Sequence, residues 1–367
     1  MTKTNAPNGE KILGEKIICG IQQVGIGVAD VMEAWKWYID IFGFDIKVFD
    51  DTGVAEKMLP YTGGKPQERR AILAVNLRGG GGFEIWQPKG RTLNYPETQF
   101  TLGDLGIFAC KIKCPDIHRA FELFKNKNVN IVNNPALSPS NLLHFFVKDP
   151  YNNLFEIEED HYVFCNEKKL TGGVNGVMVG VSDMNKSIDF YSKILDYDTI
   201  VYDTTAVFDD LQGIAGADKR VRRVLLKRSK PLHGPLSQLM GTSHIELIQN
   251  VEISGTKMYK NRFWGDPGFI HLCFDIRNMN KIKAEINALG LDFVCDGGRD
   301  FNMGDANGHF TYIEDPDGTL IEFVETFKVP IAKKFGLALN LSKRDDKKQL
   351  PGFMVRALRF ARVKERP

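Results

Sequence analysis

The sequence predicts an α+β fold in which four βαβββ modules pair into two half-barrel sheets, with helices packed outside. Four stretches open on a strand of alternating polar and apolar residues: IQQVGIGVAD (21–30), GIFACKIKCPD (106–116), GVMVGVSD (176–183) and FIHLCFDI (269–276). Each opener leads into a helical pattern. Four later strands, GFEIWQP (82–88), NLFEIEE (153–159), HIELIQ (244–249) and LIEFVET (320–326), set a glutamate among apolar residues. A carboxylate placed the same way four times, in strands that otherwise read as buried, demands a partner.

The first module spans about 17–98. After its opener, Met32, Trp35, Tyr38 and Ile39 share one face of a helix over 30–43, with Asp30 as its N-cap. The runs FDIKVFD, RRAILAVNL and GGFEIWQ supply three strands. Gly79 to Gly82 lie between the last two; no helix follows them, so they read as a hairpin turn and not a phosphate cradle. The second module (104–163) and the fourth (265–327) share a strand ending in Asp-Pro, at Asp149-Pro150 and Asp315-Pro316. The third (171–252) answers the first, with Ile188, Tyr191 and Ile194 on a helix capped by Asp183. Modules one and two thus form a first half (17–163), duplicated as a second (171–327), with a basic extension at 328–367. One module leaves a sheet face bare, so modules must pair to bury it.

A chain of 367 residues with a formal charge of +2 has no overall pull toward nucleic acid. Its six cysteines are scattered without a CxxC pair and read as reduced thiols. The polar start MTKTNAPNGEK lacks a signal core, and no apolar run is long enough to span a bilayer. These features predict a soluble cytoplasmic protein, monomer or homodimer, acting on a small molecule. Arg356, Arg359 and Arg362 recur at helical spacing beside Phe353, Leu358 and Phe360. That pattern suits a helix docked on the body with a solvated basic face better than a membrane-surface contact.

QVGIGVAD followed by WYIDIFGF, then GFIHLCFDI, and above all YIEDPDGTLIEFVET, resemble the vicinal oxygen chelate superfamily. That superfamily holds glyoxalase I, methylmalonyl-CoA epimerase, extradiol dioxygenases and antibiotic-sequestering proteins. The resemblance covers about Ile18 to Thr326. In that family, metal ligands come from one opener position and from the closer glutamate. In register, the openers give Gln23, Ala109, Gly176 and His271, and the closers Glu84, Glu156, Glu246 and Glu322. Pairing neighbouring modules leaves two incomplete sets. Pairing the first with the fourth gives Gln23, Glu84, His271 and Glu322, the set of a zinc-type glyoxalase I. It implies one divalent ion (Zn, Ni, Mn or Fe) with open positions for substrate oxygens. Glu156 and Glu246 then remain in a degenerate cleft, which His244 would have to rebuild as a second site.

The resemblance further implies isomerase, epimerase or lyase chemistry through a metal-stabilised enediolate, with Glu322 or Glu84 as the base. Alternation along the strands puts Gly25, Gly27 and Cys273 beside the ligands as space for substrate, and Asp275 on the His271 face. Trp86, Phe310 and Tyr312 would complete the pocket. Gly27 and Pro267 stand where glutathione-dependent enzymes carry arginines, which argues against glutathione adducts. An extradiol dioxygenase, with two histidines and a carboxylate on iron, and a metal-free small-ligand binder of the resistance type remain alternatives.

Overall fold

The computed structural model describes residues 14–363 except 300, 304, 305, 333–336 and 343. The polar start of the chain and the last four residues of the basic tail lie outside the described residues. Module one comprises β1 (Ile17–Gly27), α1 (Val31–Phe42), β2 (Ile46–Ala55), β3 (Gln67–Val75) and β4 (Gly82–Pro88). Module two comprises β5 (Gly106–Cys114), α2 (Ile117–Asn126), the short β6 (Asn130–Ile131) and β7 (Ala136–Leu137), β8 (Leu143–Lys148) and β9 (Leu154–Glu159). Module three comprises β10 (Val174–Gly180), α3 (Met184–Leu195), β11 (Thr199–Ala206), β12 (Val221–Lys227), the single turn α4 (Ser237–Met240) and β13 (His244–Asn250). Module four comprises β14 (Gly268–Arg277), α5 (Met279–Ala288), β15 (Cys295–Asp296), β16 (Phe301–Met303), β17 (Ala306–Glu314) and β18 (Leu320–Ala332). The extension adds β19 (Leu337–Asn340) and α6 (Gly352–Arg356).

The helices begin where the sequence places caps. Asp30 accepts hydrogen bonds from the backbone of Met32 and Glu33 at 2.8 and 3.0 Å, and Asp183 from that of Lys186 at 3.1 Å. Helix α1 ends on Gly43 in the left-handed region (φ 69°).

Each sheet takes one module from each half of the chain. One runs β15-β17-β18-β14-β1-β4-β3-β2, the other β11-β12-β13-β10-β5-β9-β8-β6. Antiparallel seams, β1 on β14 and β10 on β5, join the modules. Within each module the opener runs parallel to the closer, which sets Gly25 beside Glu84 and Cys273 beside Glu322.

Alternation then divides the faces. Val24, Ile26, Phe83 and Ile85 of one sheet share a core with Ile112, Ile157, Val177 and Val179 of the other and with helices α1, α2, α3 and α5. The helices are therefore outside each half-barrel yet between the two sheets, while the polar residues gather on the opposite faces. Buried tyrosines tie the modules across this core. Tyr38 donates to Asp149 at 2.7 Å, and Tyr191 donates to Asp315 at 3.0 Å. The glycine run is also a contact between halves: a Cβ on Gly80 would overlap the backbone of Gly173, and the backbones of Gly81 and Val174 exchange hydrogen bonds of 2.9 Å.

The extension packs on the body. β19 pairs with β18, and the amide of Leu350 donates to the carbonyl of Pro235 at 2.9 Å. Val355 and Leu358 are buried against Ile46, Val75 and Leu239, with Phe353 and Phe360 exposed.

Candidate metal centre and its counterpart

Strands β1, β4, β14 and β18 bring Gln23, Glu84, His271 and Glu322 to one buried point. The His271 Nε2 lies 3.3 Å from a Glu84 oxygen and 3.2 Å from a Glu322 oxygen. The Gln23 amide nitrogen lies 3.2 and 3.5 Å from the same two carboxylates. Ligand atoms of Glu84, His271 and Glu322 all fall within 4.8 Å of one another, the one such trio among the described residues.

Close approach here is not the same as satisfied hydrogen bonding. Both ring nitrogens of His271 and the Oε1 of Gln23 are buried without a hydrogen-bond partner. Unpaired buried polar atoms are costly, and one of them, the His271 Nε2, faces the two acids directly. Oxygen and nitrogen of a glutamine amide are assigned from their surroundings, so a cation would draw the oxygen inward. Burial is the largest influence on Glu322; His271 opposes it and the Glu84 charge adds to it, leaving the carboxyl pushed up to about 7. Burial pulls the imidazole of His271 down, but the pull of Glu322 and Glu84 outweighs it and raises the group overall. Two acids, an imidazole and an amide fit a divalent ion of the zinc, nickel, manganese or iron kind.

The surroundings correct several expectations. Gly25 leaves room not for substrate but for the His271 ring, which a Cβ would overlap. A Cβ on Gly27 would strike the carbonyl of Asp266. The Tyr312 ring lies 5.5 Å from His271, with Phe310 6.0 Å beyond it. Trp86 meets Trp264 edge-on at 4.4 Å. Trp86, Phe310 and Tyr312 line a cavity of about 140 Å³ that touches Glu84 and Glu322. Asp275 does not: it is buried beside Cys19, Gln22 and Thr326 with the charge of Arg277 near it, and lines neither of the cavities at the cluster. One basic residue that sequence reasoning missed, Arg69, does line this cavity, paired with Asp51 at 2.5 Å and set 5.0 Å from the Trp86 ring.

The second sheet builds the counterpart on β5, β9, β10 and β13. Glu156 and Glu246 converge there as the register predicts, but around an ammonium. Lys111 Nζ stands 2.5 Å from Glu156, 2.8 Å from Glu246 and 3.5 Å from Glu158. Lys111 pairs with Glu156 across the strands as Cys273 pairs with Glu322. His244 binds Glu158 at 2.9 Å and so does not rebuild a ligand set with Glu246. Arg223 closes the ring, 2.6 Å from Glu246 and 2.7 Å from Asp210, and His144 bridges Glu156 and Asp210 at 2.7 and 3.1 Å. The space left among these groups is about 10 Å³. Two lysines, Lys111 and Lys113, in an otherwise apolar strand were the available signal for this arrangement.

The family model described as "Glyoxalase/Bleomycin resistance protein/Dioxygenase superfamily" matches residues 20–157 and 173–323. No curated protein sequence matches. Among solved structures, glyoxalase I from Zea mays is similar with a TM-score of 0.53 at 15% identity, over 85% of this chain and 92% of that one. A putative dioxygenase from Bacillus subtilis has a TM-score of 0.53 at 12% identity, over 84% of this chain and 85% of that one. At such identities the likeness speaks for the fold. No helix among the described residues is long and apolar enough to cross a membrane.

Proposed function

The chain belongs to the glyoxalase/bleomycin resistance protein/dioxygenase superfamily, and from that premise we propose that it is a metal-dependent lyase, isomerase or epimerase acting on a small oxygenated metabolite. One observation carries the reading: Gln23, Glu84, His271 and Glu322 converge from two modules while both ring nitrogens of His271 and the Gln23 Oε1 are left without a hydrogen-bond partner. Gln23, Glu84, His271 and Glu322 would hold one divalent ion. Bound there, the ion supplies Lewis acidity to two adjacent oxygens of the substrate.

The protein's own groups account for the rest. Glu322 sits where both adjoining cavities meet the cluster and takes the proton from the carbon beside the substrate carbonyl. The same carboxyl group returns that proton to the neighbouring position, with Glu84 facing it from the opposite module. A positioned carboxylate of this kind contributes about 10²–10⁴ in rate. The Tyr312 hydroxyl, whose proximity favours the ionised form of Glu322, would hold that carboxylate in place. Trp86, Trp264 and Phe310 exclude water. A single imidazole supports this chemistry over an extradiol dioxygenase, whose iron takes two.

Elemental analysis of the purified protein after loading with Zn²⁺, Ni²⁺, Mn²⁺ or Fe²⁺ tests the reading. One ion per chain is expected, lost in the Glu84→Gln/Glu322→Gln double variant. Failure to take up any of the four ions would leave a metal-free ligand binder.

A further inference from the structure

The metal cluster opens on a second side that the proposed chemistry does not use. A chamber of about 140 Å³ begins at Gln23, Glu84 and Glu322 and ends on Leu239, Met240 and Leu358. Its far wall comes from outside the two paired modules. Leu239 and Met240 belong to α4 of module three, and Leu358 to the turn of 3-10 helix that follows α6. Leu358 also lies beyond the segments matched by the family model, which end at residue 323.

That wall is held in place. Gln349 donates to the carbonyl of Leu232 at 3.3 Å and to the Ser237 hydroxyl at 3.2 Å, and Gln238 donates to the carbonyl of Leu350. The amide of Val363 donates to the carbonyl of Asp45 at 3.0 Å, and Arg362 binds Glu167. Both ends of the segment are thus tied down around Leu358.

The chemistry of the chamber is one-sided. Val48, Leu73 and Val75 continue its apolar lining, and its acids are the two at the cluster. His309, the lining imidazole, is engaged by Asp296 at 2.6 Å. An anionic substituent would find no free counter-ion there and a cationic one would compete with the ion for its two acids, whereas an apolar one would be welcome: a dry cavity of about 150 Å³ holds a benzene ring.

Resting on the function proposed above, we infer that the substrate joins its pair of adjacent oxygens to an uncharged apolar group, an aromatic ring or a branched alkyl chain, and that the C-terminal extension forms the wall that selects it. Each methylene buried there strengthens binding about fourfold.

Hydroxamates, which present two adjacent oxygens to a metal, test this by titration calorimetry on the full chain loaded with its ion. Benzohydroxamate is expected to bind about tenfold or more tighter than acetohydroxamate, and 4-carboxybenzohydroxamate to lose that advantage. Leu358→Trp and Leu239→Phe, which fill the chamber from different elements, should each abolish the gain. Both should leave acetohydroxamate affinity and metal content unchanged, which also shows that they fold. Acetohydroxamate binding with no gain from the ring, or a gain that survives both variants, overturns the inference and leaves the metal reading intact. Binding of neither compound by protein shown to hold its ion overturns the metal-chelation reading and the inference with it.

Discussion

The two clefts are built from the same strand positions and solve the same electrostatic problem in opposite ways. In the first, Glu84 and Glu322 share one imidazole and an amide, and burial leaves Glu322 raised to about 7. In the second, Glu156, Glu158, Glu246 and Asp210 face Lys111, Arg223 and His144. Burial there works against ionisation too, yet His244 and Lys111 overcome it and hold Glu158 down at about 2. The direction of these shifts separates the clefts. An acid raised by its surroundings destabilises the fold when ionised, and one lowered stabilises it. The first cleft keeps a cost that an added cation would relieve. The second has internalised its cation as a lysine and closed over it.

The largest effect should come from taking that lysine away. Lys111→Met leaves three carboxylates buried around an apolar chain, and breaking a buried ion network by one partner costs about 3–5 kcal/mol. Urea unfolding measures it. In Lys111→Ala, which opens a hole instead, millimolar Zn²⁺ or Mn²⁺ should recover part of the loss and raise the metal content by one ion per chain. Equal losses with and without metal would show that the ammonium serves as a bond donor and not as a substitute cation.

The repeats, the four glutamates and the pairing of the first module with the fourth were legible in the sequence because strand alternation and register are local and periodic. The first cleft could be assembled from them, since its four converging side chains occupy the repeated positions. The second was not, because the residues that close it break the repeat: Lys111 sits two residues beyond the ligand position, and Arg223, His144 and Asp210 come from β12, β8 and the turn of 3-10 helix at Asp209–Leu211. Gly25 and Gly27 were misread as substrate space because spacing fixes a face but not what fills it. The roof from α4 and the extension is a long-range contact with no periodic signal.

A smaller and opposite effect is expected from the first cleft. In protein stripped of metal by a chelator, Glu322→Gln should raise stability by about 1–3 kcal/mol at pH 8. The folded pKa of Glu322 lies above its unfolded value of 4.5, so its charge erodes stability as pH rises from about 4.5 to 7. At pH 4 the acid is protonated in both states, and the variant should match wild type. With the ion bound the sign should reverse, because the variant loses a ligand. Destabilisation of the stripped protein at pH 8 would mean that Glu322 already has its partner, and that the clefts do not differ as described.

An effect no larger than that of Glu322 concerns His144. Burial disfavours its charge, but Glu156 and Asp210 outweigh burial and raise it to about 9 from an unfolded 6.5. Its contribution is therefore complete below pH 6.5 and lost as pH climbs to 9, whereas that of Glu158 is complete above about 4.5 and lost as pH falls toward 2. When His144 gives up its proton, Glu156 keeps Lys111 and Asp210 keeps Arg223. No charge is stranded, so the alkaline loss is confined to this one proton and should not exceed about 3 kcal/mol. Unfolding midpoints of wild type and His144→Gln at pH 6 and pH 9 isolate it, because Glu322, Asp149 and Asp315, which titrate near neutrality, are common to both proteins. A gap between the two proteins that narrows from pH 6 to pH 9 is expected. A gap of constant width would mean that the imidazole is held neutral, leaving Lys111 and Arg223 as the sole cations of the closed cleft.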